Sequence, residues 1–365
     1  MLTAALLDGA EWQVTILAGP QTGSEGSLIE TIQKRDLALI LEPMLVREIN
    51  PIKDLRALWR LRQMMRQNQY TIVHTHSSKA GIIGRWAARW AGVPIIVHTV
   101  HGWAHHDRQH PLVRAIYIWL EKITLPITDK LIAVTTLDIE KGLTDGIGQR
   151  DNYCVIRSGI ELDRFGHPQR PPAETRAALG IPADAPVVGT VTRLSPQKAP
   201  WDFVRAAAQI AQSYPACWFV MVGDGPLRAE VEALARELQI ADRLVLTGLR
   251  RDVPELMAVF DIFALSSLWE GLPRVLPQAM ATGLPIVATA CDGSAEAIID
   301  GETGYLTPPA EPAKLAERIA QLLADPARAA QMGAAGRVRV EEFSDRRMVA
   351  QITALYHELL AQKVQ

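Results

Sequence analysis

The stretch Ser266-Ser-Leu-Trp-Glu270-Gly-Leu-Pro-Arg-Val-Leu-Pro-Gln278-Ala-Met280-Ala-Thr-Gly283-Leu-Pro285 joins the end of an apolar run, an acidic loop and the start of a helical pattern. A loop that opens a helix beyond a buried strand presents backbone N–H groups able to hold a phosphate. Glu270 adds a carboxylate, and Gly271 lets the backbone come close to a ligand. An anionic, hydroxyl-rich ligand such as a nucleotide sugar fits that chemistry.

Short apolar runs alternate with helix-length patterns on both sides of this stretch. Residues 187–191, 218–222, 244–246, 262–265 and 286–288 form one series, and 14–17, 38–41, 71–73, 95–97 and 131–134 form another. Strands spaced in this way predict parallel sheets with crossover helices, hence an α/β chain of two doubly wound, Rossmann-like domains. The Pro-rich run Phe165-Gly-His-Pro168-Gln-Arg-Pro-Pro172 reads as the linker, giving domains 1–164 and 173–344. In segment 345–361, Met348, Ile352, Leu355 and Leu359 share one helical face, expected to pack back on the first domain. The chain opens in a helical pattern with no strand or Gly-rich turn before 14–17. Because the first strand of a doubly wound sheet is usually central, that strand of the N-terminal domain is expected to be missing.

With 365 residues, 48% hydrophobic and 21% charged, the chain has cores for two domains and is not disordered. A net charge of −2 gives no overall basic field for nucleic acid. Lys53, Arg56, Arg60, Arg62 and Arg66 crowd one helical pattern, read first as a solvated face and second as a contact with an anionic membrane surface. Cys154, Cys217 and Cys291 are far apart and lack ligand spacing, which points to reduced thiols and a cytoplasmic setting. No apolar run reaches the ~18 residues of a membrane span, so any membrane contact is expected to be peripheral, at the inner face. His74, His76, His98, His105, His106 and His110 match no helical metal pair, and no metal site is expected.

The chain resembles the retaining nucleotide-sugar glycosyltransferases of family 4, through Thr75-His-Ser-Ser-Lys79-Ala-Gly81, His98-Thr-Val-His101-Gly102, Gly189-Thr-Val-Thr-Arg193-Leu-Ser-Pro-Gln-Lys198, Val222-Gly-Asp-Gly225-Pro and the opening stretch. Each motif alone is weak, whereas five in order are specific. The resemblance implies the GT-B fold, two Rossmann-like domains facing across a cleft, with the acceptor on the first and the donor on the second. It implies a nucleotide sugar and a glycan, lipid-linked or small-molecule acceptor as partners, with no cofactor.

Arg193 and Lys198 follow the first strand of the second series, where two cations can converge on a diphosphate and stabilise it as it departs. By resemblance Glu270 lies at the donor sugar, Gly271 and Leu272 at the distal phosphate, and Leu249 at the base. His101 stands beside the transferred sugar and helps organise the acceptor. Gly223 begins a strand-to-helix turn, read equally as an ordinary turn and as a close approach to the donor. The family places a second Glu eight positions after the first, on the ribose hydroxyls. Here that position is Gln278, which keeps a hydrogen bond but loses its charge, or is a plain polar helix residue. A GT-B sugar-nucleotide epimerase and a non-catalytic sugar-nucleotide-binding protein are the alternative functions. A dinucleotide oxidoreductase is disfavoured, because no strand is followed by G-x-G-x-x-G and a ribose-binding acid.

Overall fold

A computed structural model describes the chain except residues 1, 8, 10, 21–28, 47, 106–108 and 365. It divides into two compact units, residues 1–158 with 345–365 (unit 1) and 159–344 (unit 2).

Unit 1 contains strands β1 (Thr15–Ala18), β2 (Ala38–Leu41), β3 (Ile72–His76), β4 (Ile95–Val100), β5 (Lys130–Ala133) and β6 (Tyr153–Val155). Its helices are α1 (Leu2–Leu6), α2 (Ile29–Lys34), α3 (Pro51–Asn68), α4 (Ser78–Ala91), α5 (Pro111–Thr124) and α6 (Thr136–Thr144). β1 and β2 form a two-stranded parallel sheet, and β3-β4-β5-β6 form a four-stranded one. β4 is buried along its whole length and its side chains alternate between two cores. Ile96 meets Leu61, Met65, Ala87 and Ala88 from α3 and α4. Ile95 and Val97 meet Ile352, Leu355, Tyr356 and Leu359.

Unit 2 begins with α7 (Leu162–Gly166) and α8 (Pro172–Ala178), which precede strands β7 (Val187–Val191), β8 (Trp218–Val222), β9 (Leu244–Gly248), β10 (Ile262–Leu265), β11 (Ile286–Thr289) and β12 (Gly304–Thr307). Between and after them run α9 (Pro200–Ser213), α10 (Arg228–Glu237), α11 (Val253–Met257), α12 (Val275–Thr282), α13 (Asp292–Ala297), α14 (Pro312–Ala324) and α15 (Pro326–Arg339). The sheet is parallel in the order β12-β11-β10-β7-β8-β9. The order therefore reverses between β7 and β10, and in such sheets ligands bind beyond the carboxyl ends of the strands at that switch point. The last helix, α16 (Asp345–Val364), belongs to unit 1 and supplies the four side chains against β4.

The Pro-rich run read as a linker lies within unit 2, whose boundary falls at Ser158/Gly159. Phe165 is buried there, and Pro172 starts α8 at a position where a missing N–H costs nothing. Two short edge strands, β6 and β12, complete the sheets.

Candidate functional site

In unit 2 the loops after β7 and β10 are laced together. The Ser266 hydroxyl donates to the carbonyls of Lys198 (3.1 Å) and Ala199 (3.0 Å). The Leu268 N–H donates to the Gln197 carbonyl at 2.8 Å, and the Gln197 amide to the Trp269 carbonyl at 2.9 Å. These bonds bring Lys198 onto Glu270, whose Oε1 accepts from the Lys198 ammonium and from the Ser267 hydroxyl (2.6 Å). The Glu270 side chain is only 6% exposed and that of Lys198 is 21% exposed. Charges this enclosed are tolerated when each has a partner.

Backbone strain flanks the pair. Ala199, next to Lys198, has φ +41° and is fully buried. Asp292 has φ +36°, and its carboxylate accepts the Glu270 N–H at 3.0 Å. Left-handed conformations at residues with a Cβ persist where the surroundings enforce them, and they cluster at binding sites.

The loop after β8 is fastened to the loop after β7. Thr192 N–H donates to Val222 O (2.9 Å), Leu194 N–H to Asp224 O (3.0 Å) and Leu227 N–H to Leu194 O (3.1 Å). Gly223 has φ +132°, and a Cβ there would lie 2.0 Å from the Thr192 carbonyl oxygen. Its N–H donates to Gly248 O at 3.0 Å. Gly223 thus has a packing reason of its own in the Thr192 backbone. Arg193 lies half-buried at the carboxyl end of β7, five residues before Lys198.

Leu249 is 47% exposed just beyond β9. Gly271 and Leu272 lead from Glu270 into α12, with Leu272 buried. That helix starts without a side-chain cap. Gln278 sits half-buried in its middle. Thus Lys198 and Glu270 are in contact, whereas Gly271, Leu272 and Gln278 continue the Glu270 segment.

His101 stands in unit 1, just past the carboxyl end of β4. It belongs to a run of imidazoles with His76 and His74, of which His74 lies outside the sequence motifs. His76 Nδ1 lies 3.0 Å from His101 Nε2, with the rings stacked at 5.3 Å. The His74 ring stacks on His76 at 4.5 Å. Its Nδ1 lies 2.6 Å from the Tyr356 hydroxyl on α16 and its Nε2 2.7 Å from the Thr99 hydroxyl. Strand alternation explains the set, since His74 and His76 share one face of β3 while Thr75 turns the other way, 2.9 Å from His98 Nδ1. Burial, then the neighbouring His101 ring, holds His74 down to about 3. Burial and Arg85 keep His98 well below the usual imidazole range. The signal in the sequence was the alternation Ile72-Val-His74-Thr-His76 itself.

Ser77, after His76, also has a positive φ, +59°. His105 pairs with Asp145 at 2.8 Å, and His106 lies outside the described residues. Among the described residues no three His, Cys, Asp or Glu side chains form a metal-ligand group. The three cysteines are unpaired, and burial raises each thiol, Cys154 to about 11 and Cys217 to about 12.

Residues 1–159 match the Glycosyl transferase 4-like domain and residues 172–339 match Glycosyl transferases group 1. A UDP-Gal:alpha-D-GlcNAc-diphosphoundecaprenol alpha-1,3-galactosyltransferase of Escherichia coli is 37% identical over 255 residues, 69% of this chain and 66% of that protein's length. A D-inositol 3-phosphate glycosyltransferase of Salinispora arenicola is 31% identical over 317 residues, 80% of this chain and 69% of that protein. Among solved structures, sucrose-phosphate synthase from Thermosynechococcus elongatus has a TM-score of 0.80 at 27% identity, covering 99% of this chain and 92% of that one. HepE of Anabaena, solved with UDP, has a TM-score of 0.81 at 22% identity, covering 98% of this chain and 94% of that one, and shares the fold. Two Rossmann-like units of the GT-B class, matched along both halves by these models and relatives, make this chain a member of the group 1 glycosyltransferases.

Proposed function

We propose that the chain transfers a sugar from a nucleoside-diphosphate sugar to a glycan or lipid-linked acceptor, with retention of anomeric configuration. The observation that carries this reading is the Lys198–Glu270 pair at the switch point of the unit 2 sheet. A cation held beside a carboxylate suits a ligand with a diphosphate at one end and sugar hydroxyls at the other. Lys198 and Arg193 take the charge that develops on the departing diphosphate, so the step is assigned to side chains and no metal. Glu270 accepts from sugar hydroxyls, Gly271 and Leu272 offer backbone N–H groups to the distal phosphate, and Gly223 and Leu249 border the nucleotide. Gln278 takes the ribose with a neutral amide. Unit 1, through His101, organises the acceptor.

The E. coli relative is named for UDP-galactose and a diphosphoundecaprenol-linked sugar. UDP-galactose is therefore the first donor to test, and a polyprenyl diphosphate sugar the first acceptor. With such an acceptor we assign the enzyme to the cytoplasm, working peripherally at the inner face of the membrane. No helix among the described residues is long and apolar enough to cross it.

Calorimetric binding of UDP-, GDP- and ADP-sugars, followed by transfer with product anomers read from proton NMR couplings, tests the proposal. One nucleotide sugar should bind and yield a product of unchanged anomeric configuration. Epimerised donor in the absence of acceptor, binding without transfer, or an inverted product would each overturn it.

A further inference from the structure

Helix α5 carries an apolar stripe on its outward face. Its buried residues are Glu121 and Thr124, with Glu121 2.7 Å from the fully buried Arg85 of α4. Four of its large apolar side chains point outward, Leu112 64% exposed, Ile116 47%, Trp119 57% and Ile123 37%, while Ile118 packs against the core. The spacing i, i+4, i+7, i+11 places these four along one stripe. Helix α3 has an apolar core face and a second apolar stripe on the other side. Ala57, Leu61 and Met65 face the core, while Ile52, Leu55 and Trp59 on the opposite face are each more than half exposed.

The two stripes belong to one helical layer, because α3 and α5 both pack on α4. Aromatic contacts bridge them. Trp59 lies 6.0 Å from Trp90 and Trp90 5.7 Å from Trp86, while the Trp86 indole N–H donates to Thr124 at the end of α5 (3.1 Å).

The charge on this layer is one-sided. The only acidic residues in α3, α4 and α5 are Asp54 and Glu121. Both are tied up, Asp54 with Lys79 and Glu121 with Arg85. Arg56, Arg66, Arg89 and Lys122 are exposed, Arg60 is exposed but paired with Glu42 at 2.9 Å, and the Arg62 guanidinium lies over the Trp59 ring at 5.2 Å. Apolar stripes with Trp among basic side chains, and with no uncompensated acid, match the headgroup zone of an anionic bilayer.

We propose that the outward face of α3, α4 and α5 docks on anionic lipid bilayers, its Leu, Ile and Trp side chains entering the headgroup zone and its arginines meeting lipid phosphates. This assigns a surface to the membrane partner of the transfer reading above and rests on that reading only for its purpose. A protein partner suits the face less well, since two stripes with basic side chains between them lack the enclosed, charge-depleted centre of a protein interface.

The test is co-sedimentation of the full chain with vesicles of equal parts phosphatidylglycerol and phosphatidylcholine, against phosphatidylcholine alone. Partition should favour the anionic vesicles and weaken with salt. Arg56→Ala with Arg66→Ala should lower it about thirty-fold at low salt. Ile116→Ser with Trp119→Ser should lower it about ten-fold or more. All four side chains are exposed or at the layer's surface, and unchanged melting temperatures would show that the variants fold. Equal partition onto both vesicle types, or binding insensitive to both double variants, would overturn the proposal. So would a lipid-free dimer by light scattering that the serine variants dissociate. Donor binding, measured on the same proteins, should not change. Its absence from the unaltered chain would count against the transfer reading and leave the surface standing.

Discussion

Lys198 and Glu270 lie 72 residues apart, on loops that leave adjacent strands in opposite halves of the unit 2 sheet, and they share one enclosed ion pair that Ser267 completes. Either charge alone in that position is a liability. Lys198→Ala strands a carboxylate that is 6% exposed, and should destabilise the protein by about 3 kcal/mol. Glu270→Gln in the same protein should recover most of that stability. Neither protein should recover transfer, which is expected to fall about a hundred-fold or more once the diphosphate loses its cation. Denaturant melts of the two singles and the double, beside kcat for each, check this. Full stability of Lys198→Ala would show that the pair does not form.

Gln278 offers a test of opposite sign. If the ribose lies against α12, Gln278→Glu supplies a charge-assisted acceptor where an amide now stands, and should tighten donor binding by about five- to ten-fold with little change in kcat. Calorimetric Kd for the nucleotide sugar decides it. Unchanged or weaker binding would place the ribose elsewhere.

The His76–His101 contact predicts a separation between two substitutions. His76→Leu removes the group facing His101 Nε2 and should lower kcat about ten-fold without altering donor Kd. His76→Asn places a polar atom near the position of the lost Nδ1 and should restore most of the rate. Equal damage from both would mean that His76 fills space and does nothing more.

Burial of neutral imidazoles ties unit 1 to pH. His74 is held at about 3 and His98 well below 6.5, so in acid the unfolded chain binds protons that the folded chain refuses. Stability from these groups is fully present above about pH 6.5 and is lost as pH falls below it, by about 1.4 kcal/mol per pH unit for the buried His98 and by less for the half-buried His74. Melting midpoints between pH 7 and 5 should fall for the native chain and fall less for His74→Gln. An identical slope in that variant would rule His74 out as a source.

Much of the frame was legible because buried parallel strands are short, apolar and bounded. The runs 187–191, 218–222 and 262–265 coincide with β7, β8 and β10. β6 and β12 escaped because Tyr-Cys-Val and Gly-Tyr-Leu-Thr at sheet edges carry no dense apolar signal. The prolines near 168–172 suggested a linker, but proline serves equally at a helix start, and no local pattern told of Phe165's burial in unit 2.

At the candidate site, position along the chain was readable and contact was not. Arg193, Lys198 and Glu270 could be set at strand ends, yet their strands' adjacency depends on the reversal of strand order, which is a property of the whole sheet. The His74–Tyr356 bond likewise needs α16 to return across 282 residues. On α5, Leu112, Ile116, Trp119 and Ile123 have the spacing of a core stripe, but the stripe is exposed while Glu121, paired with Arg85, is buried.

The placement of α16 also sets an order of events during synthesis. Unit 2 is one uninterrupted segment, whereas the β4 core of unit 1 needs Ile352, Leu355, Tyr356 and Leu359. The half of the molecule that leaves the ribosome first is therefore the last that can be finished. Until Leu359 emerges, one side of its sheet stays bare, exposed to chaperones and to aggregation, while the later half can already be folded.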